Sequence, residues 1–151
     1  MADCLVHITV FLLASTILIS LQFYKSANGL GERYTLYVLP IRMMQIDGKV
    51  NRGEISWEQS SKERNAIILE ANYIERVEKA FKYLFAATLV TMETILALYV
   101  FDQFYSIDQG LQICAVIGII MALSELTYLK FGYRKAKQVF DNAEGISALG
   151  L

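Results

Sequence analysis

One histidine, one proline, one tryptophan and two cysteines in 151 residues leave little material for several kinds of chemistry. A single histidine builds no His-ligated metal centre, and no Cys-x-x-Cys or His-x-x-x-His spacing occurs. No glycine-rich phosphate loop follows a strand pattern, and no catalytic set of nucleophile and base is visible. Neither an enzyme nor a cofactor-bearing protein is therefore expected. With only Cys4 and Cys114 available, two free thiols are expected rather than a disulfide. No nucleic-acid partner is expected either.

Charge is missing in blocks. Cys4 to Phe23 has none, Tyr83 to Phe101 has only Glu93, and Leu111 to Leu129 has only Glu125. At ~1.5 Å rise per residue, each run matches the ~30 Å hydrocarbon core of a bilayer. The hydrophobic content of 55% agrees. The predicted fold is all-α, a single membrane domain over 1–151. Its three transmembrane helices lie at about 4–23, 83–101 and 111–129, with an insert at 24–82 and a tail at 130–151. Met1 to Val6 lacks Lys and Arg, so the first run is expected to stay as a span and not to be removed as a signal peptide.

Positive charge is missing from one side. Ten of the fourteen Lys and Arg residues lie between Lys25 and Lys82, and the other four are Lys130, Arg134, Lys135 and Lys137. Basic loops stay in the cytoplasm during insertion. The N-terminus is therefore expected outside, and the insert and C-terminus inside. Aromatic residues collect at the same boundaries. Phe23, Tyr24, Phe81, Tyr83, Tyr128, Phe131 and Tyr133 mark one side, and Tyr99, Phe101, Phe104 and Tyr105 the other. Arg134, Lys135 and Lys137 are expected to meet lipid headgroups, at ~1 kcal/mol per charge.

Within the insert, Asn28-Gly29-Leu30-Gly31 is expected to break the first helix. Tyr34 to Met44 is apolar but too short to span, and is predicted to lie at the membrane interface or to pack under the bundle. Residues 43–54 resemble half of a calcium loop, with Gly48 and Glu54 at its sixth and twelfth positions. Met43 and Gln45 then fall where carboxylate oxygens are needed, so no calcium is expected there. The stretch reads better as punctuation. Asp47-Gly48 and Gly53 make turns, and Ser56 with Gln59 caps a new helix. From Trp57 to Phe101 there is neither Gly nor Pro. One long cytoplasmic helix continuous with the second span is predicted, with Glu70 interrupting its apolar stripe. Ser106 with Gln109 is expected to cap the third span. Gly118, Ala115 and Ala122 would allow close approach of helices there.

The intramembrane carboxyls carry the functional question. Charge near a helix centre costs ~3 kcal/mol on insertion scales. Ser15, Thr16, Thr91 and Thr94 are the expected polar contacts of Glu93, with Ser124 and Tyr128 near Glu125. The preferred reading is a non-enzymatic accessory or assembly subunit of a larger integral membrane complex, with other membrane subunits as hetero-oligomeric partners. One alternative is a homo-oligomeric channel or proton-translocating subunit that uses the glutamates. Three spans, an outside N-terminus and a cytoplasmic helical insert after the first span also resemble membrane insertases in topology, which implies a chaperone function as a third reading.

Overall fold

The computed structural model describes residues 2–105 and 107–149. The Ser106 half of the expected cap therefore lies outside the described residues. The described chain is helical, and three of its helices are long and apolar enough to cross a membrane. Helix α1 covers Ala2–Arg33, α2 Leu39–Asn51, α3 Trp57–Tyr105 and α4 Asp108–Leu149. A π-helical stretch, Tyr34–Val38, joins α1 to α2 without a gap.

Two expectations in this region are corrected. Gly29 and Gly31 do not break α1, which runs through both. Glycine costs a helix only ~1 kcal/mol. Leu30, Tyr34 and Val38 bury together against Ile74, Phe140 and Ala143, and that packing outweighs the cost. Gly31 also lets the neighbouring helix come close, since a Cβ there would sit 3.3 Å from Glu78 Oε2. Residues 34–44 continue the same helical run. They belong to the π stretch and α2, and Tyr34 and Val38 point into a core. The π turn precedes Pro40, which stands in the first turn of α2. Proline lacks an N–H and crowds the carbonyl four residues earlier, and a widened turn relieves both problems.

The second correction concerns Asp47-Gly48, which is helical and makes no turn. The chain turns later, at Gly53, whose φ is +71°. The Glu54 amide donates to the Lys49 carbonyl at 2.9 Å and the Gly53 amide to the Val50 carbonyl at 3.0 Å. These are the paired bonds of a Schellman ending, which places glycine at the left-handed position. Ser56 then caps α3 as expected, its Oγ accepting from the Gln59 amide at 3.2 Å. The long helix is also as expected, and extends unbroken from Trp57 to Tyr105.

Tertiary contacts divide the chain into two compact units. The first contains the residues up to Tyr24 together with Ala80–Phe131. Its core is Val6, Leu13, Ile95, Leu111, Ala115 and Ala122. On α1 the buried positions are Val6, Thr9, Leu13, Thr16 and Ser20, and on α4 they are Leu111, Ala115, Gly118, Ala122, Glu125 and Leu129. Both runs step by three and four residues alternately, the spacing of a left-handed packed seam. Small residues on α4 bring the backbones together, and the Thr9 hydroxyl reaches the Ala115 carbonyl at 3.4 Å. A Cβ on Gly118 would lie 2.8 Å from Ile95 Cδ1 and 3.0 Å from Thr9 Cγ2.

The second unit contains Lys25–Lys79 with 132–149. It holds twelve of the fourteen Lys and Arg residues. Its core is Leu30, Tyr34, Val38, Ile74, Phe140 and Ala143. Ion pairs surround it, among them Arg33–Glu144 at 3.2 Å, Arg64–Asp47 and Lys79–Glu75 at 2.6 Å. Exposed pairs of this kind contribute ~0–1 kcal/mol each, so the apolar core holds the unit together.

The close contact at Gly118 yields a prediction. Gly118→Val should lower the thermal unfolding midpoint in detergent, at a cost of about 1–3 kcal/mol. Gly29→Ala, where nothing lies within 4 Å of the added Cβ, should raise it by up to ~1 kcal/mol through helix propensity. A Gly118→Val protein as stable as the parent would mean that the three helices do not pack this closely.

Candidate functional site: two glutamates with different surroundings

Glu125 lies in the apolar stretch of α4, is 5% exposed, and faces the first unit's core. Two helices supply its partners. Ser20 on α1 donates from Oγ to Oε1 at 2.5 Å, and Thr88 on α3 meets Oε2 through Oγ1. Thr88 Oγ1 also lies 3.0 Å from the Leu84 carbonyl. A hydroxyl has one proton to give, so Thr88 shares its proton between the Leu84 carbonyl and the Glu125 carboxyl, while Ser20 gives its proton to Glu125 alone. The carboxyl thus takes its hydrogen bonds from two other helices.

An aromatic stack closes one end of this cluster. Phe23 and Tyr128 both meet Phe81 edge-on, with centroids at 6.2 and 6.3 Å. Phe81 is fully buried. Phe23 and Tyr128 each lie one turn from Ser20 and Glu125, on the side of Lys82 and Lys130.

Glu93 stands elsewhere. It is exposed and lies off the α3 stripe of Phe81, Thr88 and Ile95 that packs inward. None of the four expected contacts reaches it. Ser15 donates to the Phe11 carbonyl at 2.9 Å and Thr16 to Leu12 at 2.8 Å. Thr91 donates to Ala87 and Thr94 to Val90, each at 2.8 Å. A helical hydroxyl finds the carbonyl one turn back without any partner helix, and that local bond displaces the longer-range one. The sequence reading named contacts for both glutamates. It missed Ser20 and Thr88, although Thr9, Thr16 and Ser20 share one α1 face at three-and-four spacing. Among the described residues no bond joins Ser124 or Tyr128 to Glu125; the Tyr128 ring meets Phe81 instead.

The second unit has a polar cluster of its own. The Tyr34 hydroxyl donates to Glu70 Oε2 at 2.9 Å, and Arg42 pairs with the same oxygen. Glu70, which interrupts the apolar stripe, thereby joins α3 to the π stretch and α2. Burial pushes the Tyr34 phenol well above its usual range, and the bond to Glu70 adds to this. A cleft of about 270 Å³ beside Arg42 is lined by Gln45, Lys49, Glu63 and Ile146. Its charges are already paired, Arg42 with Glu70 and Lys49 with Glu63.

At 43–54 both carboxylates face cations of the chain. Asp47 pairs with Arg64, and Glu54 with Arg52 at 2.5 Å. The Arg52 bond holds the Glu54 carboxyl below its usual range. Among the described residues, no three His, Cys, Asp or Glu side chains gather as a metal-binding group. Cys4 and Cys114 are free thiols. Arg134, Lys135 and Lys137 are exposed, and Lys135 Nζ lies 5.7 Å from the centroid of the Tyr73 ring. The chain matches no protein family, no curated protein and no solved structure.

The Glu125 cluster generates a prediction. Glu125→Gln keeps the shape and an oxygen that accepts from Ser20, and should change stability in detergent by less than ~1 kcal/mol. Glu125→Ala leaves Ser20 and Thr88 facing a void and should cost about 2 kcal/mol or more. Adding Ser20→Ala to each variant should show coupling with glutamine present and little with alanine. Equal loss in both variants would show that the carboxyl does not hold the helices together.

Proposed function

We propose that this protein is a three-span integral membrane protein acting as a non-enzymatic accessory or assembly subunit of a larger membrane complex. The observation that carries the reading is the outward face of α3, which presents Glu93 within an apolar stretch and away from its own bundle. A lone carboxyl facing hydrocarbon is costly, and a neighbouring subunit that covers it removes the cost. In this reading the N-terminus lies outside and the basic second unit and C-terminus lie in the cytoplasm. Tyr83, Tyr128 and Phe131 are exposed where an inner aromatic belt belongs, and Phe101, Phe104 and Tyr105 where an outer one belongs. Arg134, Lys135 and Lys137 then meet anionic headgroups. A proton path is less well supported, because Glu125 is enclosed by side chains and bonded to two hydroxyls.

Two measurements test this reading. In a variant lacking Cys4 and Cys114, cysteines are placed singly at Gln109 and Ser61, both exposed. A membrane-impermeant thiol reagent should label position 109 in intact cells and miss position 61, and the reverse pattern overturns the orientation. Gentle purification should bring down a fixed set of other membrane subunits. A complex of this chain alone favours the channel reading, and nascent chains or ribosomes favour the insertase reading. Either result overturns the subunit assignment.

A further inference from the structure

The outward face of α3 has more pattern than one misplaced acid. Ala86, Val90, Glu93, Ala97, Val100 and Phe104 are all exposed. Their spacing is four, three, four, three and four residues. This is the seam of a helix that packs lengthwise against another helix, repeating the spacing by which α1 and α4 pack in the core. Around Glu93 the seam is slim. Ala86 precedes it by two turns and Ala97 follows it by one. Small side chains let a second backbone approach, and one polar group in such a seam sets register.

Charge identifies the partner. From Tyr83 to Leu129 the chain has no Lys or Arg. The one other acid within the apolar runs 83–101 and 111–129, Glu125, is satisfied by hydroxyls on the inside. Glu93 has neither provision. A second copy of the chain, packed parallel on the same seam, would set Glu93 against Glu93 and supply no cation. A helix with a basic side chain at that depth neutralises the acid and is itself neutralised. Resting on the subunit reading above, we propose that this seam docks one transmembrane helix of a different subunit, whose Lys or Arg pairs with Glu93 near mid-span.

The test uses the full chain in its native membrane. A cysteine at Ala97, in the variant lacking Cys4 and Cys114, is crosslinked with a short thiol-to-amine or photoactivated reagent. One adduct with a different polypeptide should form, and mass spectrometry should place the link on a transmembrane helix containing Lys or Arg. A cysteine at Ile120, exposed on α4, should form at least severalfold less of it. Glu93→Gln should lower the yield of the complex on native gels about tenfold, as a stranded buried cation does. Glu93→Asp should recover part of that yield. Both variants should keep the parent's own melting behaviour, because Glu93 is exposed on the bundle's outer face. An adduct of two copies of this chain overturns the proposal in favour of a homodimer. Unchanged yield with Glu93→Gln, or no adduct at Ala97 in an intact complex, also overturns it. Those outcomes leave the subunit reading standing, since the other subunits still copurify. That reading fails separately if no other subunit copurifies with the parent protein.

Discussion

A polar atom removed from water must find its hydrogen-bond partner inside the molecule. In the apolar stretches of this chain that requirement shapes nearly every feature. Helices meet it for the backbone, since each carbonyl receives an amide within the same segment. Side-chain hydroxyls meet it the same way. Thr9, Ser15, Thr16, Thr88, Thr91, Thr94 and Thr127 all donate to the carbonyl four residues earlier. Thr9 also reaches the Ala115 carbonyl on α4, and Glu125 draws on two other helices at once, at the place where α1, α3 and α4 all contribute a buried polar group.

The second unit is built differently. Its core is apolar and its rim charged, and its polar groups pair across loops and helix faces. Tyr34 shows the contrast with the first unit. Its ring fills the core while its hydroxyl reaches Glu70 at the edge, beside Arg42. One side chain thus ties three segments together without putting a charge into the centre.

Much of this organisation was legible in the sequence. The three apolar runs, the unbroken helix from Trp57, and the Ser56 cap all follow from local pattern, and the structure contains each of them. The sequence reading took 1–151 as one domain, while tertiary contacts divide it into two units with limits at Tyr24, Ala80 and Phe131. What could not be read depended on distant partners. Gly29 and Gly31 signal a break locally, but Ile74 and Phe140 hold the helix together from elsewhere in the chain. Asp47-Gly48 has the composition of a turn, yet the turn formed at Gly53, where a left-handed residue completes the helix ending. The two glutamates look alike in sequence. Which one faces inward depends on the rotational phase of each helix, and the inward phase of α3 shows only faintly in Phe81, Thr88 and Ile95.

The Glu125 cluster also has a consequence for the order of synthesis. Ser20 and Thr88 lie on α1 and α3, both of which leave the ribosome before α4. When α4 arrives, hydroxyls that can meet its acid are already present in the nascent bundle. Its carboxyl need not wait for a later segment. Had the acid been on α1 and the hydroxyls on α4, the first helix would have carried an unmet polar group until α4 was made. Chain order itself spares the growing protein that exposure.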